Sequence, residues 1–180
     1  LTFDIVDNLI SFNNEKQVNQ VQHFCNMQKH SPLYEDYNSM LSSVYHSLEE
    51  AVIKRVENTD REVACLLSGG LDSSLIAALV KRNYKGDLHT WSIGMEGSED
   101  LKYAKIVADH IGSIHHSIVV TEEEFLSYIP EVIKTIESYD TTTVRASVGN
   151  WLISKYIKEN SDAKVIFNGD GSDEVMGGYM

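Results

Sequence analysis

Two glycine-rich stretches of the sequence place hydroxyl and carboxylate side chains where phosphate chemistry could occur. The first, SGGLDSS at residues 68–74, follows an apolar run typical of a strand and opens an apolar run typical of a helix. Glycines let successive backbone N–H groups converge, and the following helix adds unpaired amides and the positive end of its dipole. The stretch lacks the lysine of a Walker loop. The sequence therefore predicts that amides and the hydroxyls of Ser68, Ser73 and Ser74 hold a phosphate.

A carboxylate inside this predicted anion site implies a bound cation. Asp72 would repel a phosphate unless a cation lay between them, and Mg²⁺ is commonly held by one or two carboxylates together with phosphate oxygens. The second stretch, NGDGSDE at residues 168–174, offers Asp173 as the other candidate ligand. An isolated glycine pair would favour a tight turn with Asp72 as a helix cap. The full heptapeptide between a strand and a helix favours the ligand site.

Alternating strand and helix patterns predict how the two stretches are positioned. Strands are predicted over 63–67, 88–93, 115–119 and 164–167. Helices are predicted over 36–57, over 73–83, from about Ser98 to Gly112, and after a capping box formed by Thr121 and Glu124. This alternation indicates an α/β fold, a doubly wound parallel sheet with helices on both faces. If the first and fourth strands are neighbours, the two glycine-rich stretches face each other at the carboxyl edge of the sheet.

Composition limits the function classes. The chain has 180 residues, about one compact domain, and 27 acidic against 15 basic residues give a formal charge of -12. This charge argues against a nucleic-acid or anionic-membrane partner, and no apolar run is long enough to cross a membrane. Cys25 and Cys65 form no CxxC pair, which argues against zinc and disulfides and favours a reducing cytoplasm.

The organisation of the chain is predicted from its polar N-terminal part. Residues 11–31 are rich in Asn and Gln, so residues 1–32 are interpreted as a lead-in or linker and residues 33–180 as the α/β domain, with the boundary near Pro32. The chain begins without Met and ends just after a glycine pair, and we expect the domain to be incomplete at its C-terminus. His115 and His116 are adjacent on a predicted strand and should point to opposite faces, one to the core and one to the surface.

The motifs together resemble a known family. SGGLDSS is similar to the pyrophosphate-binding loop of the ATP-pyrophosphatase (PP-loop) superfamily, whose fold is of the adenine nucleotide alpha hydrolase type. Three more stretches, SIGMEGSEDLKYAKIVADHIGSIHH, IESYDTTTVRAS and GDGSDEVMGGY, resemble the synthetase domain of glutamine-hydrolysing asparagine synthetases in order and spacing. The likeness covers roughly residues 60–180. It implies that ATP and aspartate form β-aspartyl-AMP and pyrophosphate, after which ammonia displaces AMP to give asparagine.

The resemblance also implies a role for each matching position. Asp170 and Arg145 correspond to catalytic positions, with Arg145 stabilising charge as pyrophosphate departs and Thr142 and Thr143 supporting it. Asp72 and Asp173 correspond to magnesium ligands. The residues implied to bind ATP and its pyrophosphate are Leu67, Ser68, Gly69, Gly70, Leu71, Asp72, Ser73, Ser74, Ile93, Asn168 and Gly169.

Two positions depart from the family pattern Ser-Gly-Glu-Gly-Ser-Asp-Glu, namely Asn168 and Asp170. The carboxylate at 170 is one methylene shorter than the family's glutamate, which influences formation of the acyl-adenylate. The shortening either misplaces a catalytic group, which can lower a rate strongly, or is a tolerated variation. The family's N-terminal glutaminase domain and a later lysine do not match any part of the sequence. Ammonia is therefore expected from solution, or from a glutaminase domain or chain.

Three other functions stay open at this stage. Another PP-loop amide ligase would share the ATP chemistry and differ in its acceptor, although the TTTVRAS stretch favours aspartate. A tRNA-thiolating relative would need a basic face and a reactive cysteine, which the acidic charge and the strand position of Cys65 disfavour. A noncatalytic nucleotide-binding module would fit the change at Asp170.

Overall fold

A computed structural model describes residues 3–6, 9–12, 21–22, 36–176 and 178. The chain divides into two compact units, Leu1–Val44 and Tyr45–Met180. In the first unit, β1 (Phe3–Val6), β2 (Leu9–Phe12) and β3 (Val21–Gln22) form an antiparallel sheet in that order. The sequence patterns predicted no strands there, because the short apolar runs are embedded in polar residues. The predicted boundary at Pro32 lies outside the described residues.

The first long helix, α1 (Tyr37–Glu57), confirms the prediction over 36–57. Asp36 precedes it and accepts hydrogen bonds from the amide (2.9 Å) and the hydroxyl (2.8 Å) of Ser39, which hold the pKa of the Asp36 carboxyl below its usual value. Lys54 and Arg55 lie in the last turn, where cations complement the helix dipole. Within the described residues, no helix is both long and apolar enough to cross a membrane.

The second unit contains a parallel four-stranded sheet, and all four predicted strands are confirmed. The strands are β4 (Val63–Leu66), β5 (His89–Gly94), β6 (Ile114–Val119) and β7 (Val165–Phe167). They lie in the order β6-β5-β4-β7, and every neighbouring pair is parallel. The predicted neighbourhood of the first and fourth strands is therefore correct.

The helices connect these strands so that the strand order reverses between β4 and the edge strand β7. From β4, the chain passes through α2 (Leu71–Asn83) to β5, and through α3 (Glu99–Ile111) to β6. It then returns through α4 (Glu122–Ser127), α5 (Ile129–Ile136) and α6 (Thr141–Asn160) to β7, on the other side of β4, and α7 (Ser172–Met176) follows. Ligands of open α/β sheets bind at such a reversal, beyond the carboxyl ends of the strands.

Both faces of the sheet are covered. Along β4, Val63 and Cys65 belong to a core with α1, α2 and α3, whereas Ala64 packs with Ile153 and Ile157 of α6. All three β4 residues are fully buried, as expected for a central parallel strand between two helical layers. The predicted α/β class with helices on both faces is confirmed.

Two predicted helix ends are confirmed, whereas α2 begins at Leu71, two residues before the predicted start at Ser73. α3 ends at Gly112, which adopts the left-handed conformation (φ 69°) that favours glycine. The hydroxyl of Thr121 accepts a hydrogen bond from the amide of Glu124 at 3.1 Å, as a capping box requires. The reciprocal bond is not formed, and the Glu124 carboxylate accepts a hydrogen bond from the hydroxyl of Tyr156 at 3.1 Å. A long-range partner thus replaces the local one.

The adjacent histidines of β6 point to opposite faces, as predicted. His115 contacts the hydroxyl of Thr90 (2.9 Å), whereas His116 stacks on Trp91 with ring centroids 4.1 Å apart and meets His89 at 2.8 Å. The prediction of one core and one surface histidine is wrong, since both are half-buried. Burial is the main reason why the pKa values of both imidazoles are lowered.

Candidate functional site

A cavity of about 430 Å³ opens beside the first glycine loop (residues 68–74) and the second glycine loop (residues 168–174). Its volume falls in the range usual for small-molecule sites. The first loop follows β4 and the second follows β7, so both lie at the reversal of strand order. The lining residues are Leu66, Leu67, Ser68, Gly70, Asp72, Ser73, Trp91, Ser92, Ile93, Asp100, Asn150, Ile153, Asn168, Gly169, Asp170, Gly171, Ser172, Asp173 and Glu174.

Glycine permits the close approach of the two loops. A Cβ atom built on Gly169 would lie 2.7 Å from the backbone nitrogen of Ser73 and 2.9 Å from the carbonyl carbon of Asp72. These neighbours are backbone atoms at the start of α2, which cannot rotate away as a side chain could. The second loop therefore packs directly on the first turn of α2, and only glycine fits at position 169.

The first loop is built as an anion cradle. α2 begins with Gly70 as its N-cap. The amide of Gly70 donates to the hydroxyl of Ser68 at 3.3 Å, and among the described residues no side chain accepts from the amides of Leu71, Asp72 or Ser73. The interpretation of Asp72 as the helix cap is therefore wrong, since Asp72 lies within the first turn. Uncapped amides at a helix N-terminus favour an anion. The hydroxyls of Ser68 and Ser73 lie 3.0 Å apart, and both residues line the cavity.

The charged groups that line the cavity are all acidic. They are Asp72, Asp100, Asp170, Asp173 and Glu174, and no lysine, arginine or histidine joins them in the described part of the chain. Like charges around one cavity repel each other, and a cation relieves this repulsion. Among the described residues, neither Asp72 nor Asp173 makes a hydrogen bond or ion pair through its carboxylate.

The donor set fits magnesium better than a transition metal. Carboxylates are hard oxygen ligands, and neither histidine nor cysteine lines the cavity in the described part of the chain. Among the described residues, no group of three or more histidine, cysteine, aspartate or glutamate side chains is placed to hold a metal ion. Mg²⁺ commonly takes one or two protein carboxylates and completes its shell with water and phosphate oxygens, so two carboxylates suffice.

The structure brings together most of the sequence-predicted site. The predicted residues that line the cavity are Leu67, Ser68, Gly70, Asp72, Ser73, Ile93, Asn168, Gly169, Asp170 and Asp173. The predicted residues that do not line it are Gly69, Leu71, Ser74, Thr142, Thr143 and Arg145.

Most of the residues outside the cavity have other contacts. Gly69 adopts φ 85° and presses against the backbone of α3, where an added Cβ would lie 2.5 Å from the nitrogen of Ala104. The hydroxyl of Ser74 donates to the carbonyl of Gly70 at 2.6 Å. The amide and hydroxyl of Thr143 both donate to the carboxylate of Asp140, at 2.8 Å, and thereby cap α6.

Sequence reasoning missed the far wall of the cavity. Asn150 and Ile153 lie in the middle of α6, where no local motif indicates a ligand contact. Trp91 and Ser92, which also line the cavity, lie within β5. Asp100 could have been predicted, because it lies in the first turn of α3, the helix that follows the carboxyl end of β5 at the same edge of the sheet.

Known proteins resemble this chain over most of its length. Residues 43–180 match the family model for asparagine synthase. Glutamine-hydrolyzing asparagine synthetase of Bos taurus is 53% identical over 73% of this chain and 24% of that protein. The Homo sapiens protein of that name is 54% identical over 72% of this chain and 24% of its own length. The chain spans about a quarter of the length of the curated relatives it matches.

Solved structures share its fold. The NH3-dependent NAD synthetase of Campylobacter jejuni aligns with a TM-score of 0.53 and 20% identity over 77% of this chain and 60% of that one. The NMN synthetase of Francisella tularensis aligns with a TM-score of 0.53 and 14% identity, over 77% and 58% of the two chains. At these identities, the likeness concerns the fold. The family model and the identities of about one half show that the chain belongs to the asparagine synthase family.

Proposed function

We propose that this chain carries the synthetase chemistry of an asparagine synthetase. In this reaction an oxygen of the aspartate side-chain carboxylate attacks the α-phosphorus of ATP, and the bond from that phosphorus to the bridging oxygen breaks, releasing pyrophosphate. Ammonia then attacks the acyl carbon of β-aspartyl-AMP, AMP leaves, and a proton is lost to give asparagine. The observation that carries the proposal is the pairing of an anion cradle with a carboxylate-rich loop in one cavity, in a member of this family.

The first glycine loop would bind the departing pyrophosphate. Its uncapped amides and the hydroxyls of Ser68 and Ser73 are donors that hold negative charge without a lysine. Leu67 and Ile93 would line the nucleotide site, with Asn168 and Gly169 also contacting ATP, and all four border the cavity.

The acidic groups would serve the metal and the reacting carboxylate. Asp72 and Asp173 would hold Mg²⁺, which when bound neutralises phosphate charge. Asp170 would act during formation of the acyl-adenylate. We also assign Arg145 to the charge on pyrophosphate, with Thr142 and Thr143 supporting it. The support for these three is their match to the family pattern, since they do not line the described cavity.

The nitrogen donor and the compartment belong to the same proposal. The relatives are named glutamine-hydrolyzing, so a glutaminase domain or chain would supply ammonia. Cys65 is a free thiol, which suits a reducing cytoplasm. Burial raises its pKa to about 12, so Cys65 is not the poised thiolate that a tRNA-thiolating enzyme would need.

Isotope exchange tests the proposal. With ATP and Mg²⁺, aspartate should promote incorporation of labelled pyrophosphate into ATP by the complete protein, at least about tenfold more than glutamate. Equal exchange with both acids would indicate another amide ligase. ATP binding without exchange would indicate a noncatalytic nucleotide-binding module, and either result rejects the proposal.

A further inference from the structure

Two side chains of the second glycine loop contact each other at the cavity. The Nδ2 atom of Asn168 donates a hydrogen bond to Oδ2 of Asp170 over 2.7 Å, and both residues line the cavity. A carboxylate accepts hydrogen bonds and donates none, so the amide nitrogen of Asn168 must face it. The short distance is typical of a bond strengthened by charge.

Nothing else in the described part of the chain orients the Asp170 carboxylate. Asn168 is its only hydrogen-bond partner there. Asp170 is exposed and stands between Gly169 and Gly171, and Gly171 adopts φ 90°. Neighbouring glycines leave the backbone with more freedom than other residues would. The direction of the carboxylate therefore depends on Asn168.

The contact depends on the summed length of the two side chains. Asn168 and Asp170 span the gap between them with one hydrogen bond of 2.7 Å. Serine at 168 would shorten the donor side and glutamate at 170 would lengthen the acceptor side, so the two changes made together would restore the summed length.

We propose that Asn168 is a positioning residue that holds the Asp170 carboxylate in its working direction, and that the lengths of the side chains at 168 and 170 are coupled. This inference rests on the function proposed above. In this proposal the side chain of Asn168 contacts Asp170 rather than ATP, and only the backbone of Asn168 contacts the nucleotide. Because both side chains are exposed, water competes for the bond and its contribution to folding is small. Activity and stability are then separable.

A double-mutant cycle in the complete protein tests the coupling. The variants are Asn168→Ser, Asp170→Glu and the two combined, with Asn160→Ser as the matched control. The amide of Asn160 also makes one hydrogen bond, to the carbonyl of Tyr156 at 2.9 Å, but Asn160 does not line the cavity. Aspartate-dependent pyrophosphate exchange, ATP affinity by calorimetry and thermal unfolding are measured for each.

The cycle has a definite expected result. Each single change should lower exchange about tenfold or more, because a carboxylate with the wrong reach is misplaced. The combination should recover most of the loss. ATP affinity should stay within about twofold of the parent, because the effect is confined to the transition state, and Asn160→Ser should match the parent throughout. Losses that multiply in the double variant, or a fully active Asn168→Ser, would overturn the proposal.

If the parent protein shows no pyrophosphate exchange, the proposed function is rejected. The contact between Asn168 and Asp170 is then tested by nuclear magnetic resonance. A side-chain amide signal of Asn168 that moves when Asp170 is replaced by Ala supports the contact. A signal that does not move rejects it.

Discussion

The two glycine loops follow neighbouring parallel strands but offer different chemistry. The first loop leads into a helix of 13 residues, α2, and offers hydroxyls and uncapped amides. The second leads into a helix of five residues, α7, and offers the carboxylates of Asp170, Asp173 and Glu174. The first suits a phosphate and the second suits a cation. Glycine at position 169 thus permits the close approach of the two backbones, whereas the other side chains decide which charge each loop suits.

The largest expected effect comes from separating the loops. Gly169→Ala would place a methyl group 2.7 Å from the backbone nitrogen of Ser73, which cannot yield. We expect aspartate-dependent exchange to fall by more than about a hundredfold, and the free energy of unfolding to fall by about 1–3 kcal/mol, as for other overpacked sites.

Gly149→Ala is the matched control, since a Cβ at Gly149 in α6 would meet nothing within 4 Å. It should retain activity and gain roughly 0.5–1 kcal/mol from higher helix propensity. If Gly169→Ala were as active as Gly149→Ala, the close approach of the loops would be unimportant.

A smaller effect should follow from Asp72→Asn, which removes the one carboxylate of the first loop. With Mg²⁺, calorimetry should show ATP affinity about tenfold weaker or more, equivalent to ~1.4 kcal/mol. With a chelator in place of Mg²⁺, the variant should bind ATP at least as tightly as the parent, because an unbridged Asp72 carboxylate repels phosphate. Asp60→Asn, at an exposed ion pair with Arg61, should bind ATP like the parent in both conditions. A metal bridge is excluded if Mg²⁺ does not change the affinity of the parent.

Gly178→Ala should perturb the second loop without the first, and its effect should be smaller than that of Gly169→Ala. Its added Cβ would collide with Oδ1 of Asp173, and the amide of Gly178 donates to the carbonyl of Asp173 at 2.9 Å. A carboxylate can rotate away, unlike the backbone of Ser73. We expect the Mg²⁺ concentration for half-maximal exchange to rise about three- to tenfold, with unchanged unfolding. An unchanged magnesium requirement would remove Asp173 from the metal site.

The smallest effect on the two glycine loops is expected from replacing Cys65, which lies in β4 just before the first loop. Cys65→Ala should leave ATP affinity unchanged. Its pKa is raised by burial to about 12, against an ordinary 9.0. The unfolded thiol thus loses its proton first, and stability should fall between pH 9 and about 12 by up to ~1.4 kcal/mol per pH unit. Denaturant unfolding of parent and variant measures this slope, and equal slopes would contradict the assignment.

The sequence predicted the elements that local patterns specify. The strand of Val63–Leu66 and the left-handed end of α3 at Gly112 follow from apolar runs and glycine chemistry. β1–β3 were not predicted, because two- to four-residue strands in polar surroundings carry little periodic signal.

Within the site, the first turn of α2 and the loop carboxylates could be read directly from the sequence. Asn150 could not, because it reaches the cavity from the middle of α6 through tertiary packing alone. The bond between Asn168 and Asp170 was also missed. No local sequence pattern indicates that these two loop side chains meet.

The approach of Gly169 to Ser73 also determines when the site can exist during synthesis and folding. The first loop is made about a hundred residues before its partner, and the contact forms only when β7 pairs with β4. Such a distant pairing forms late in folding, because closing a long loop of chain costs conformational entropy. ATP would therefore bind only after the last strand has docked. A ligand that binds only the completed arrangement also stabilises it by mass action, so nucleotide should protect the pairing of β4 with β7 against local opening.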